Sequence, residues 1–468
     1  RTVSEERREY YSDFLERILF ETLSRRRADD ESPWGKIPYL NGGLFEKDYD
    51  YTIRLPNRLF DPQASSTILG FFNSYNFTVE EDTPLVQQAA LSPEIVGRAF
   101  EDLLAQETAG ETGGVIAPQP IVRFMCREAL LGYLQDTVQM DRARLHALFD
   151  EELGPLLEKE EADALASALR DVRVLDPAVG AGAFLVEMLH DLITLRRACQ
   201  RAAGEPGSML HAAISEWKRE FIANCLYGVD TRREAIEITK WRLWLSLAAD
   251  AERDQLEPLP NLDYQLLRGN LLIETLGGQS IFAAPADEIP SAGKRPTVQL
   301  TLGISETERA MAALRALKDR FTEAEPIERI DLQKQIQQQE TEIVLTYLGE
   351  RQAALEQRMK ALLRRGRQVQ WKGMPHEKNR LTILQDSLAR LGALREQIHQ
   401  GAVLPFFLSY LHFGEVMKGK GGFDIMLGNP PSKPSEWNDE QKLALQNEYP
   451  RVYHPHADSP VYFFARGL

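Results

Sequence analysis

VRVLDPAVGAGAF, residues 172–184, is a short apolar run that ends in Asp176-Pro177 and passes through Gly180 and Gly182 to Phe184. An apolar run of that length closed by a glycine turn reads as a buried strand, with a helix starting beyond the turn. Glycine there lets the backbone approach a ligand closely, and the helix N-terminus behind it offers unpaired N–H groups. The spacing is G-x-G after Asp-Pro, so it is not the G-x-G-x-x-G fingerprint of dinucleotide sites. A glycine turn after a strand is also an ordinary connector. The Asp-Pro before it and Phe184 after it favour cofactor binding.

Outward from this stretch the same pattern recurs three times. NCLYGVD, 224–230, ends in Asp230, placed as an acidic residue that accepts hydrogen bonds from ribose hydroxyls at the end of a second strand. A helix cap is the plain alternative. Asp176 and Asp230 are 54 positions apart, which leaves room for a helical excursion through 190–220. QLLRGNLL, 265–272, carries Asn270, able to hydrogen-bond an adenine ring, although Gly-Asn after a strand is a common turn. FDIMLGNPP, 423–431, ends in Asn429, Pro430 and Pro431. Strand, turn and helix in alternation predict an α/β fold with a mostly parallel sheet and helices on both faces.

The last stretch carries the reactive chemistry. An exocyclic amine on a base is a weak nucleophile because its lone pair is delocalised into the ring. The side-chain carbonyl of Asn429 and the main-chain carbonyl of Pro430 suit acceptance of its two N–H bonds, which favours the pyramidal nitrogen that attacks a methyl group. Two successive prolines stiffen that presentation by locking φ. A rigid loop is the alternative for any isolated Asn-Pro-Pro.

Composition sets bounds. The 468 residues are 43% hydrophobic, enough for two to four globular domains. No long apolar run or basic-then-apolar leader is present, so neither a membrane span nor a signal peptide is expected. The absence of an initiator Met suggests a fragment. Cys126, Cys199 and Cys225 fit no zinc or disulfide spacing, no metal is expected, and a cytoplasmic location is simplest. A net charge of −15 argues against uniform electrostatic binding of nucleic acid. Residues 351–380 are the exception, with nine basic against two acidic side chains, a local +7.

Residues 1 to about 170 read as mainly helical. SPEIVGRAFEDLLAQE, 92–107, has Ser92 to cap, Pro93 in the first turn and an apolar face of Ile95, Val96, Ala99, Phe100, Leu103 and Leu104. Asn270 and Asn429 lie 159 positions apart, far more than one crossover helix needs. Within that interval Met311, Leu314, Leu317 and Phe321, and later Leu381, Leu384, Leu388, Leu391 and Ile398, keep helical spacing. Gly366 and Gly373-Met374-Pro375 read as breaks. A long helical hairpin inserted into the sheet domain is predicted, with the basic cluster Arg364, Arg365, Arg367 and Lys372 near its tip; a solvated helix tip or a docking surface is the alternative to phosphate contact.

In this order the four motifs resemble the gamma-type DNA adenine-N6 methyltransferases. PYLNGGLFE (38–46), FFNSYNFTVEEDTP (71–84), SPEIVGRAFEDLLA (92–105), LPNLDYQLLRGNLL (259–272) and SPVYFFARGL (459–468) are similar to the methyltransferase part of type IIG restriction-modification enzymes, and to methyltransferases of the BREX and DISARM phage-defence systems. The resemblance implies a Rossmann-like class I sheet using S-adenosylmethionine. The expected division is a helical domain over 1–165, methyltransferase residues 166–300 and 403–468, the latter incomplete, and the inserted hairpin 301–402, which the resemblance does not cover. Cofactor contacts would come from Ile116, Pro118, Asp176, Pro177, Gly180, Gly182, Phe184, Asp230 and Asn270; Asn429, Pro430, Pro431 and Ser432 would surround a flipped adenine from double-stranded DNA. Implied partners are DNA and subunits of a defence system, with no membrane.

Two positions depart from the family pattern. The cofactor-covering segment, 113–125, has Ile116-Ala117-Pro118 where relatives have an aromatic residue, Thr and Pro. Ser432 stands where they have an aromatic ring, whose stacking on a base is worth about 1–3 kcal/mol. Trp437 and Tyr453 are candidate substitutes, with core packing the alternative. These departures support a competing expectation, a DNA-binding scaffold with weakened catalysis.

Overall fold

The computed structural model describes residues 9–24, 27, 31–37, 39, 55–73, 76–78, 88–90, 117–150, 157–203, 210–248, 262, 264–273, 275–276, 279–280, 306–323, 326–369, 375–399, 412–413, 416, 420–431, 437 and 439–467. They form two compact units: Arg1–Arg268 with Phe423–Asn429, and Gly269–Gly422 with Pro430–Leu468.

The first unit is built on four strands, β1 (Val174–Asp176), β2 (Leu226–Asp230), β3 (Leu266–Arg268) and β4 (Ile425–Met426), in the order β4-β1-β2-β3. All three pairings are parallel. A parallel sheet covered by helices has no solvent face, so its strands read as continuous apolar runs. Every residue of β1 and β2 is buried accordingly. The register of β4 is fixed across 251 positions: Asp424 Oδ2 accepts from the Arg173 N–H at 2.7 Å. The four strands expected from sequence thus share one sheet.

From residue 119 onward, the described helices of this unit are α1 (Gln119–Val138), α2 (Arg142–Ala147), α3 (Lys159–Asp171), α4 (Ala183–Ala203), α5 (Leu210–Asn224) and α6 (Arg233–Ala248). Pro118 and Pro120 start α1, where a missing N–H costs nothing. The reciprocal capping box of Glu158 and Glu161 starts α3. Val122, Cys126, Leu130 and Leu134 of α1 recur at four-residue spacing and are fully buried in a core shared with α3, α4, α5 and the sheet. Helices α4 and α5 supply the excursion between Asp176 and Asp230. Upstream lie an antiparallel ribbon, Glu31–Ser32 with Gly35–Lys36, and a parallel one, Asn76–Thr78 with Gln88–Ala90, which the helical reading of this region did not anticipate.

In the second unit, α7 (Glu306–Glu323) and α9 (Pro375–His399) both pack on the 44-residue α8 (Pro326–Val369). The predicted hairpin is therefore three helices. Gly366 does not break the chain: α8 runs through it, because one glycine costs only about 1 kcal/mol inside a helix. Leu314, Phe321, Leu391 and Ile398 are buried as their spacing implied. A smaller cluster joins Leu272, Leu445, Tyr449 and Tyr462, with the Tyr449 hydroxyl donating to the Leu272 carbonyl; its helices are α10 (Asp439–Glu448) and α11 (Ser459–Gly467). No described helix is long and apolar enough to cross a membrane. The three cysteines are buried and form no disulfide.

Candidate active site

The strand order locates the site. From β1 the chain runs outward through β2 to β3, then returns to place β4 on the other side of β1. Ligands of open α/β sheets bind beyond the carboxyl ends of strands where the order reverses, here between β1 and β4. Asp176 ends β1, and Gly428 and Asn429 follow β4. The Leu427 N–H donating to Leu175 O continues the pairing up to that point.

Asp176 is fully buried, yet its carboxylate is only half satisfied. Oδ1 accepts from the Ala178 N–H at 3.1 Å, while Oδ2 has no hydrogen-bond partner among the described residues. Burial pushes its pKa up to about 8, opposed by the Ala178 N–H and reinforced by the Asp230 charge. Space for the carboxylate exists because position 428 is glycine. A Cβ there would lie 2.5 Å from Asp176 Oδ1 and 3.3 Å from Pro177 Cδ.

The turn from Ala178 to Gly182 can be accounted for amide by amide. The Ala178 N–H goes to Asp176, Val179 to Val229 O, Gly180 to Asp230 Oδ2 at 3.0 Å, and Gly182 to Val179 O at 2.7 Å. Among the described residues the Ala181 N–H has no partner. Buried N–H groups left so are rare, and this one sits in the same loop as the half-satisfied Asp176. Gly180 and Gly182 take φ of +53° and +77°, which favours glycine.

Asp230 fastens this turn. One oxygen holds the Gly180 amide; the other accepts from the Arg232 N–H at 2.9 Å ahead of α6 and lies 3.5 Å from Arg232 Nε. The cap-like alternative is therefore realised, and the turn contact was not foreseen. A carboxylate has about four acceptor sites, so these bonds leave capacity for a hydroxyl.

Helix α6 reaches the turn with side chains that the motif reading passed over. The Thr239 hydroxyl lies 3.2 Å from Gly180 O and 2.9 Å from Ala235 O, sharing one hydrogen between them. Buried Arg242 donates through Nη1 to Ala181 O at 2.6 Å. A Cβ on Gly182 would lie 2.7 Å from Thr239 Cγ2, so only glycine fits there. The sequence signal was a Thr and an Arg three apart on the buried face of an apolar helix.

A charged ladder secures α1, the helix that follows the expected covering segment, to α4, the helix launched from the turn. Glu187 accepts from Gln119 Nε2 at 2.5 Å and Arg123 Nε at 2.9 Å. One helical turn on, Asp191 accepts from Arg127 Nη2 at 3.2 Å, and the Arg127 guanidinium lies over the Phe149 ring. Burial pushes Asp191 up to about 6, against the Arg127 charge. Polar residues at 119, 123 and 127 facing 187 and 191 are legible as i, i+4 series, but their pairing is not.

The remaining predicted residues are placed as follows. Pro118 caps α1, and Phe184 is buried in the main core. Asn270, Pro430 and Pro431 belong to the second unit; Asn270 Oδ1 accepts from the Leu272 N–H at 3.0 Å, the turn foreseen as its alternative. Asn429 is solvent-exposed. Trp437 and Tyr453 pack against the Leu272–Tyr462 cluster. Arg364 is exposed on α8, and Arg365 and Arg367 lie on the same helix. Ile116, Lys372, Ser432 and the 92–107 segment lie outside the described residues.

The sequence model described as Eco57I restriction-modification methylase matches residues 224–468, more than half of the chain. A relative from Methanocaldococcus jannaschii, described as a candidate type II restriction enzyme and methyltransferase, is 28% identical over 291 residues, 56% of this chain and 24% of the relative. The chain thus spans about a quarter of the length of that curated relative.

Proposed function

This chain belongs to the Eco57I restriction-modification methylase family, and from that premise we propose that it is a DNA methyltransferase acting on adenine N6 with S-adenosylmethionine, in restriction-modification or phage defence. The observation that carries the reading is the β1/β4 switch point, where a half-satisfied Asp176 lies against Gly428, one residue before Asn429. The residues fit the cofactor: its methionine end is a zwitterion, and among the described residues the loop offers a buried acceptor without a donor, Asp176 Oδ2, and an amide without an acceptor, Ala181 N–H. Asp230 retains capacity for the ribose hydroxyls, and Pro118, Pro177 and Phe184 supply apolar surroundings.

When bound, S-adenosylmethionine supplies a methyl group made electrophilic by its positive sulfonium. The chain's part is to orient the acceptor. The Asn429 side-chain carbonyl and the Pro430 main-chain carbonyl would accept hydrogen bonds from the two N6–H groups, and Pro431 would hold the loop stiff. Transfer would need no enzyme nucleophile or covalent intermediate: S-adenosylhomocysteine would leave as the methyl–sulfur bond breaks, and the displaced N6 proton would pass to solvent. Transfer of labelled methyl from S-adenosylmethionine to adenine in double-stranded DNA tests the proposal, with Asn429→Ala expected to abolish transfer and preserve cofactor binding. Absence of transfer to any DNA, with Asn429→Ala binding DNA like the parent, would overturn it in favour of the scaffold reading.

A further inference from the structure

Arg242 is only 3% exposed. Burying a guanidinium is expensive unless its hydrogen bonds accomplish something an apolar side chain cannot. Its Nη1 sits 2.6 Å from the Ala181 carbonyl, at the centre of the glycine turn. Beside it, the Thr239 hydroxyl reaches the preceding carbonyl, that of Gly180.

These contacts determine where the turn's amides point. In a trans peptide the C=O and the next N–H are fixed in one plane and point in opposite directions. The peptide linking Val179 to Gly180 is held at both ends, by the Gly182 N–H and by Asp230. The peptide linking Ala181 to Gly182 is likewise held, by Arg242 and by Val179 O. Between them, the Gly180–Ala181 peptide has its carbonyl against Thr239, which turns the Ala181 N–H away from α6. That amide is the one in the turn without a partner among the described residues.

We propose that Arg242 and Thr239 together are positioning residues that present the Ala181 N–H to the amino-acid end of the cofactor, Thr239 through the peptide that carries that N–H and Arg242 by fixing the next peptide on its other side. This rests on the S-adenosylmethionine reading above. Arg242 touches no reacting atom; it acts through the backbone it holds.

The experiment is calorimetric, on the full chain, with two probes: S-adenosylhomocysteine, which has the amino-acid end, and 5′-methylthioadenosine, which lacks it. Arg242→Met should weaken S-adenosylhomocysteine about tenfold, the scale of one hydrogen bond to a charged group, and leave 5′-methylthioadenosine within about twofold. Arg242→Lys, keeping a donor, should recover part of the loss. Equal weakening of both probes, or of neither, overturns the positioning role. Should Arg242→Met fail to fold, Thr239→Val against Thr239→Ser makes the same comparison, with the hydroxyl-bearing variant retaining the selectivity for the amino-acid end. A parent that binds neither probe refutes the cofactor reading itself; a parent that binds both without the variant difference refutes only this inference.

Discussion

The Asp176 carboxylate and the Gly428 α-carbon share a space that admits no side chain: a Cβ at 428 would approach Oδ1 to 2.5 Å. Two loops 252 positions apart in sequence are thereby packed backbone to side chain at the sheet's switch point. Gly428→Ala should displace Asp176 and destabilise the first unit by about 1–3 kcal/mol, the usual scale of overpacking. It should also weaken S-adenosylhomocysteine binding more than a glycine substitution with room for its Cβ, such as Gly132→Ala on α1. Unchanged affinity and urea midpoint together would show that the packing relaxes without consequence.

Asp176 also predicts a pH dependence. Its folded pKa is pushed from 3.8 up to about 8, so between those values the folded state binds the proton more tightly than the unfolded chain does. The stability this contributes is fully present below the unfolded value and is lost as pH rises through about 8. Asp191, pushed up to about 6, acts in the same direction over a narrower window. Asp176→Asn should therefore flatten the decline of unfolding free energy measured by urea titration across that range. A parent and variant differing by a constant at every pH would contradict the assignment.

Binding of a cation beside Asp176 favours its ionised form. S-adenosylmethionine affinity should rise as pH approaches 8, with proton release detectable by calorimetry in two buffers of different ionisation enthalpy. Asp176→Asn should lose both the pH dependence and the released proton. Proton release that persists in the variant would place the titrating group elsewhere.

The ladder between α1 and α4 yields a mechanical prediction. Glu187→Ala removes the acceptor of both Gln119 and Arg123 and should cost about 1.5–3 kcal/mol, the range for hydrogen bonds involving charge. Asp191→Ala should cost at least as much, because Arg127 is the less exposed of the two arginines and is left with a charge to accommodate. Chemical denaturation measures both, and the reverse order would contradict the burial argument.

On the second unit, Arg364 projects from α8 close to Arg365 and Arg367 on the same helix. Neutralising these three with Lys372 should reduce the slope of log affinity for DNA against log salt by roughly 1 for each phosphate that the protein no longer neutralises. An unchanged slope assigns the cluster to another surface role.

The sequence by itself determined the four strands and their common sheet, because parallel buried strands must be short apolar runs and each was closed by a turn or helix signal. It also located Asp176, Gly180, Gly182, Asp230 and Asn429 at strand ends, since that chemistry is carried by contiguous residues. It misjudged Gly366, where packing along α8 outweighs one glycine's local preference. Only the tertiary structure decided that Gly428 makes room for Asp176, that Asp230 grips the Gly180 amide, and that Thr239 and Arg242 clamp the turn from α6. These interactions join side chains to backbone about 50 to 250 positions away. Local periodicity reports which face of an element is buried, but the partner it meets there is set by how the chain crosses over and returns.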